Sequence, residues 1–192
     1  MTRRSVLLSV LGIAAYSLVS GPASAVPAMP RIFSPGSISP TAGVDCLAFM
    51  PDGRTVFFHQ EPWSLGMIMV SHQVNGHWST PVIAPFSGIW HDHDPAVVPD
   101  GPFVVFASNR PDETGGGALH SSHLWRVDRV ADGWSASIRL QDTVNFGSHI
   151  FAPSVAANGD LYFQNSDNSS RQFHLHRSAW RGGRYRNLSS RT

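Results

Sequence analysis

Ala48-Phe49-Met50-Pro51-Asp52-Gly53-Arg54-Thr55-Val56-Phe57-Phe58 decides the fold, because the chain repeats it. Ala96-Val97-Val98-Pro99-Asp100-Gly101-Pro102-Phe103-Val104-Val105-Phe106 follows the same plan, and so does Ser154-Val155-Ala156-Ala157-Asn158-Gly159-Asp160-Leu161-Tyr162-Phe163. Each copy is an apolar run, an Asp-Gly or Asn-Gly turn and a second apolar run, the strongest short-range signal for a β-hairpin. A two-residue turn of this type needs positive φ at both central residues, so the pattern predicts left-handed backbone at 52–53, 100–101 and 158–159.

A second hairpin follows each first one. Gly66–Val70 leads through Asn75-Gly76 to Trp78-Ser79-Thr80-Pro81. Leu124–Val127 leads through Asp132-Gly133 to Trp134-Ser135-Ala136, and Phe173–Arg177 through Gly182-Gly183 to Arg184-Tyr185. The middle copy carries extra residues in the loop Asn109–Ser121, where insertions are tolerated. Each unit is therefore a four-stranded meander. Repeats of four strands at this length are the pattern of propeller blades, which bury their faces only against neighbouring blades.

Composition agrees. The 192 residues are 42% hydrophobic and only 14% charged, with 17 Gly, 14 Pro, 11 Phe, 6 Trp and 3 Tyr. Disorder requires few aromatics and high net charge, and long helices are rich in Ala, Glu, Lys and Leu, so both are excluded. All 14 basic residues are Arg, and the formal charge of +1 gives no case for nucleic-acid binding.

Residues 1–25 have the form of an export signal. Arg3-Arg4 precede an apolar run from Val6 to Val19, and Ala23-Ser24-Ala25 predicts cleavage after Ala25. The run is shorter than the roughly 20 residues needed to span a bilayer, so no stable membrane span is expected once the signal is removed. The expected destination is periplasmic or secreted. Residues 26–43 form a leader whose Phe33–Gly43 stretch is expected to supply an edge strand. Cys46 is the only cysteine, which excludes an intrachain disulfide, and it is expected in the core.

The Pro-Asp-Gly turn with its late Trp-Ser-x-Pro resembles the WD40-like repeats of TolB-type bacterial β-propellers. The linking stretches Ala84-Pro85-Phe86-Ser87-Gly88, Ser108-Asn109-Arg110-Pro111 and Asp142-Thr143-Val144-Asn145 resemble exported members of that group. Ser137 stands where the late Pro is expected, and Tyr185 replaces the late Trp. The resemblance implies an all-β fold, a partial propeller of three four-stranded antiparallel blades over about 44–86, 92–140 and 150–188. It also implies a binding platform, in a group whose complete ring usually has six blades. Three blades cannot close a ring. The chain either lacks two or three blades or forms a homodimer that completes a six-blade ring.

His91-Asp92-His93-Asp94 is the densest group of titratable residues, and it falls at the entry to the innermost strand of the second unit. Alternate residues of a strand share a face, so His91 with His93, or Asp92 with Asp94, point the same way. Asp45 stands eight residues before Gly53 as His93 stands before Gly101, whereas the third unit offers Phe151 and Ala152 at the corresponding places. Asp45, His91, Asp92, His93 and Asp94 are therefore the candidate ligand-binding residues at a channel mouth. No third metal ligand is fixed by local sequence, so no metal or cofactor is assigned. Nucleophile-elbow, His-Glu-x-x-His and phosphate-loop signatures are absent, which argues against an enzyme. The expected function is a non-catalytic envelope module binding a protein, peptide or glycan at the channel mouth, with Trp63, Trp90, Trp125 and Trp180, which fall outside the late-strand position, as candidates to stack on sugar rings. The alternative is a hydrolase or lyase, metal-assisted or not, with its site at the same mouth.

Overall fold

The structure is a computed structural model that describes residues 29–39, 43–61, 65–112, 117–167 and 172–187. The expected signal segment lies outside the described residues. Among the described residues there is no helix, and none long and apolar enough to cross a membrane.

Three antiparallel sheets follow one another along the chain. The first contains β1 (Val44–Phe49), β2 (Thr55–Gln60), β3 (Met67–Val74), β4 (His77–Trp78) and β5 (Val82–Ile83). The second contains β6 (Asp92–Val97), β7 (Phe103–Ser108), β8 (His123–Val130), β9 (Gly133–Trp134) and β10 (Ile138–Arg139). The third contains β11 (His149–Val155), β12 (Leu161–Asp167), β13 (Gln172–Arg181) and β14 (Arg184–Asn187).

The outer strand shows why the late Trp-Ser matters. In the first sheet it is broken into β4 and β5, both paired with β3, and in the second into β9 and β10, both paired with β8. At each break a serine hydroxyl replaces a ladder carbonyl: Ser79 Oγ accepts from His72 N–H and Ser135 Oγ from Asp128 N–H. The third sheet has Tyr185-Arg186 there instead, and β14 runs on unbroken.

The hairpin turns correct one expectation. Gly53, Gly101 and Gly159 have φ of 64°, 78° and 83°, but the preceding Asp52, Asp100 and Asn158 are not left-handed. Gly53 N–H donates to Met50 O, Gly101 N–H to Val98 O and Gly159 N–H to Ala156 O. Each loop is thus a type I turn closed by a left-handed glycine, not the predicted two-residue turn. Pro51 and Pro99 favour this form, since the proline ring fixes φ near −65° and suits the second position of a type I turn, although Ala157 holds that position in the third loop without a proline. Asn75-Gly76, by contrast, has φ of 51° and 81°, the two-residue form expected.

Sheets bury their faces against one another. Phe57, Ile68 and Val70 of the first sheet pack on Val104, Phe106, Trp125 and Val127 of the second. The opposite face of the second, through Val105, Ala107 and Leu124, packs on Ile150, Leu161, Phe163 and Tyr185 of the third. Strand β7, sandwiched on both sides, is buried at all six residues. The two end faces differ. Ile38, fully buried, covers Val56 and Phe58 of the first sheet, and Phe33 joins Phe49 and Trp78 in an aromatic triangle. The leader is therefore a turn that plugs this face through its side chains. Among its described residues the one backbone bridge is Pro35 with Ser39, and none of them pairs with the first sheet as an edge strand. At the far end Phe173 and Leu175 of β13 are 66% and 74% exposed.

Candidate functional site

The innermost strands β1, β6 and β11 lie side by side and share an irregularity. Each has a β-bulge, between Asp45 and Ala48, His93 and Ala96, and Phe151 and Ser154. At each bulge a non-glycine residue is left-handed: Cys46 (φ 52°), Asp94 (φ 50°) and Ala152 (φ 48°). Such backbone costs of order 1–3 kcal/mol per residue, and strained, aligned positions of this kind gather at functional sites. The three bulges line a cleft of about 230 Å³ with Leu47, Pro95 and Pro153.

Asp94 ties the bulges together. Its Oδ1 accepts from the Cys46 Sγ–H at 3.0 Å and its Oδ2 from Ala152 N–H at 2.8 Å. His93 Nδ1 stands 3.1 Å from the same Oδ2. Burial alone would raise the Asp94 carboxyl, but the hydrogen bond and charge of His93, with the Cys46 and Ala152 donors, hold it well below the usual carboxylate range. The Cys46 thiol moves the other way. The enclosure of its sulfur, then the Asp94 and Asp45 carboxylates, push it far above an ordinary thiol. Cys46 is thus an exposed residue whose sulfur turns inward, not the core residue expected from its chemistry.

A histidine cluster stands beside the bulges. The ring centroids of His91 and His93 are 5.2 Å apart, and His59, from β2, lies 6.0 Å and 6.1 Å from them. The register of β1 with β2 puts Asp45 opposite His59, and His59 Nδ1–H donates to Asp45 Oδ1 at 2.7 Å. His91 Nε2 is 3.8 Å from Glu61 Oε1. Asn109 fixes the His91 backbone, accepting its N–H at Oδ1, while Asp92 N–H donates to Gly66 O. Burial, then the neighbouring His93 and His59, lower the His91 imidazole. His149 sits at the start of β11, where Ser122 N–H and Oγ meet its Nδ1. Burial, then His93, depress it also.

Of the five residues singled out from sequence, the structure gathers Asp45, His91, His93 and Asp94 at this end of the inner strands. Asp92 does not join them. It has no exposed surface; its Oδ1 accepts from Arg110 Nη2 at 2.7 Å and its Oδ2 from Ser87 Oγ at 2.8 Å. The bulge explains the split: left-handed backbone at Asp94 breaks the strict alternation and returns its side chain to the side of His93. Three residues that the sequence argument passed over belong to the cluster, namely His59, Glu61 and His149. His149 carried a usable signal, since it stands ten residues before Gly159 as His91 stands before Gly101. Among the described residues, no three His, Cys, Asp or Glu side chains already gather their donor atoms around one point. Of the tryptophans, Trp63 lies outside the described residues and Trp125 is core. A wider cleft of about 460 Å³ opens at the hairpin-turn end, between Pro51-Asp52, Asp100–Pro102 and Arg129, away from the histidines.

No family model matches the sequence, and no curated protein matches it. Solved structures do resemble it. TolB from Acinetobacter baumannii superposes with a TM-score of 0.52 at 21% identity, covering 74% of this chain and 31% of that one. A puromycin hydrolase mutant complexed with PGG gives 0.41 at 11% identity, over 78% of this chain and 29% of that one. A putative TolB from Agrobacterium tumefaciens gives 0.36 at 13% identity, over 78% and 62%. The chain thus spans under a third of the length of the Acinetobacter protein. Three successive antiparallel sheets, stacked face to face with their first strands innermost, together with that superposition, make the fold a TolB-like β-propeller.

Proposed function

We propose that the chain is an exported, non-catalytic propeller module that binds a protein, peptide or envelope glycan at the mouth formed by Asp45, His91, His93 and Asp94. The observation that carries this reading is the hydrogen-bond pattern of the cluster. A nucleophilic thiol needs a neighbouring cation or base to remove its proton. Here the neighbour is a carboxylate that accepts a hydrogen bond from the Cys46 thiol, and its negative charge disfavours the thiolate. His59, the most buried imidazole of the cluster, is turned toward Asp45 and away from any hydroxyl or thiol. What remains is a set of donors and acceptors at fixed spacing, with Asp45 and Glu61 side chains 65% and 58% exposed at the rim. That arrangement supports recognition of a ligand that offers hydrogen-bond donors. The hydrolase or lyase alternative has no such supporting observation.

The test is selection of peptides from a displayed random library and binding of soluble peptidoglycan fragments, alongside chromogenic peptide and glycan substrates. Binding that is lost in His93→Gln and kept in the remote variant Arg139→Gln, without turnover, supports the reading. Turnover that disappears in Asp94→Ala overturns it.

A further inference from the structure

His59 Nε2 is a buried polar atom with no hydrogen-bond partner. The other ring nitrogen is taken: Nδ1–H donates to Asp45, so the neutral ring offers its lone pair at Nε2. An uncompensated buried acceptor is costly, and each one in a native fold calls for a ligand, a water or a strain account. Its direction is set by Gly66. A Cβ built on Gly66 would fall 2.5 Å from His59 Nε2 and 2.9 Å from His91 Nε2. Only the absence of a side chain at Gly66 keeps the space between those two nitrogens open, and Glu61 Oε1 stands 3.8 Å from the second. The third imidazole, His93, has its Nδ1 turned to Asp94 as His59 has its Nδ1 turned to Asp45.

We infer that His59 and His91, with the Glu61 carboxylate and the adjacent His93, bind a divalent first-row transition ion such as zinc in the space that Gly66 leaves open. Imidazole with carboxylate is the donor set for such ions. A carboxylate on the far ring nitrogen is the usual support of a metal-bound histidine, and Asp45 occupies that position. The dimensions agree. With metal–nitrogen bonds of about 2.0–2.1 Å, imidazole centroids on a tetrahedral ion stand roughly 5 Å apart. The observed separations are 5.2, 6.0 and 6.1 Å, so small ring rotations close the site.

This inference adds an ion to the mouth described above and does not depend on its peptide or glycan ligand. The experiment is calorimetric titration of the full, metal-stripped chain with zinc at neutral pH, with cobalt(II) absorption as a second readout. One equivalent binds, and cobalt gives the intense visible bands of a tetrahedral site. Asp45→Asn weakens zinc by about 10–100-fold. His91→Gln, at a half-exposed side chain, and Gly66→Ala weaken it at least as much, whereas exposed His77→Gln changes nothing. Failure of Gly66→Ala or His59→Gln to fold leaves His91→Gln decisive. Zinc affinity within twofold of wild type in His91→Gln, or absence of saturable binding, overturns the inference. Zinc binding without any peptide or glycan binding upholds it while rejecting the function proposed above.

Discussion

Replacing Asp92 with alanine separates a structural carboxylate from a ligand-binding one. The carboxylate is fully buried and receives the Arg110 guanidinium and the Ser87 hydroxyl. Arg110 is itself enclosed, its side chain 10% exposed. Its Nη2 also donates to Phe86 O and its Nε to Ser108 Oγ, and the guanidinium lies 4.8 Å from the Phe106 ring and 5.4 Å from that of Trp125. Removing Asp92 leaves this cation inside an aromatic core without its counter-charge, a loss of about 3–5 kcal/mol. At about 2–4 °C per kcal/mol for a chain of this size, the melting temperature falls by roughly 6–20 °C. Urea and thermal unfolding followed by tryptophan fluorescence measure both quantities. Asp92→Leu combined with Arg110→Met restores most of the loss, because a matched apolar pair replaces a buried ion pair at little cost. A decrease below about 1 kcal/mol in the single variant refutes the assignment. So does loss of ligand binding with unchanged stability, which would return Asp92 to the mouth.

Other consequences are as direct. Gly101→Ala places a Cβ 2.9 Å from the Pro51 ring at φ 78°, whereas Gly53→Ala, at φ 64°, meets open space. Denaturant midpoints should therefore show roughly 2–3 kcal/mol lost at Gly101 and about 1 at Gly53. Leu124 and Leu175 occupy equivalent register positions, but one is buried and the other 74% exposed. Leu124→Ala costs about 2–5 kcal/mol by the same measurement and Leu175→Ala no more than about 0.5. His123 and His176 are both depressed chiefly by burial, so each takes up its proton at lower pH in the fold than in the unfolded chain, where it does so near pH 6.5. Their contribution is complete above that pH and is lost as pH falls below it. Thermal melts across this range should show the decline, and His176→Phe, in the same aromatic setting beside Phe146 and Phe163, should flatten it.

Much of this architecture can be read in the sequence because it rests on local patterns. The turn glycines with flanking apolar runs define all three first hairpins, and the late Trp-Ser marks where the outer strand breaks. The turn type is less accessible, since Asp-Gly points to one geometry and the preceding proline of the first two hairpins to another, and the third adopts the same type I turn with Ala157 in place of proline. The site divides in the same way. Asp45, His91, His93 and Asp94 follow from counting back from the turn glycines. Asp92 required knowledge of the bulge, a two-against-one mismatch between strands that leaves no signature in one strand alone. His59 and Glu61 enter the site only through register across the β1–β2 hairpin and the position of Gly66. Cys46 was misplaced because a small hydrophobic thiol ordinarily packs in a core, whereas here the bulge turns it toward a carboxylate.

The central claim is that ligands meet this chain at the histidine-bearing end of its inner strands. Hydrogen exchange of the full chain, with and without a peptide selected from the library, tests it most directly. The account predicts that bound peptide slows exchange at Asp45–Cys46, His91–Asp94 and Phe151–Ala152, with the buried strand β7 slowest in both states. Protection confined to the hairpin-turn end around Pro51 and Gly101, with those inner-strand segments unchanged, would contradict it.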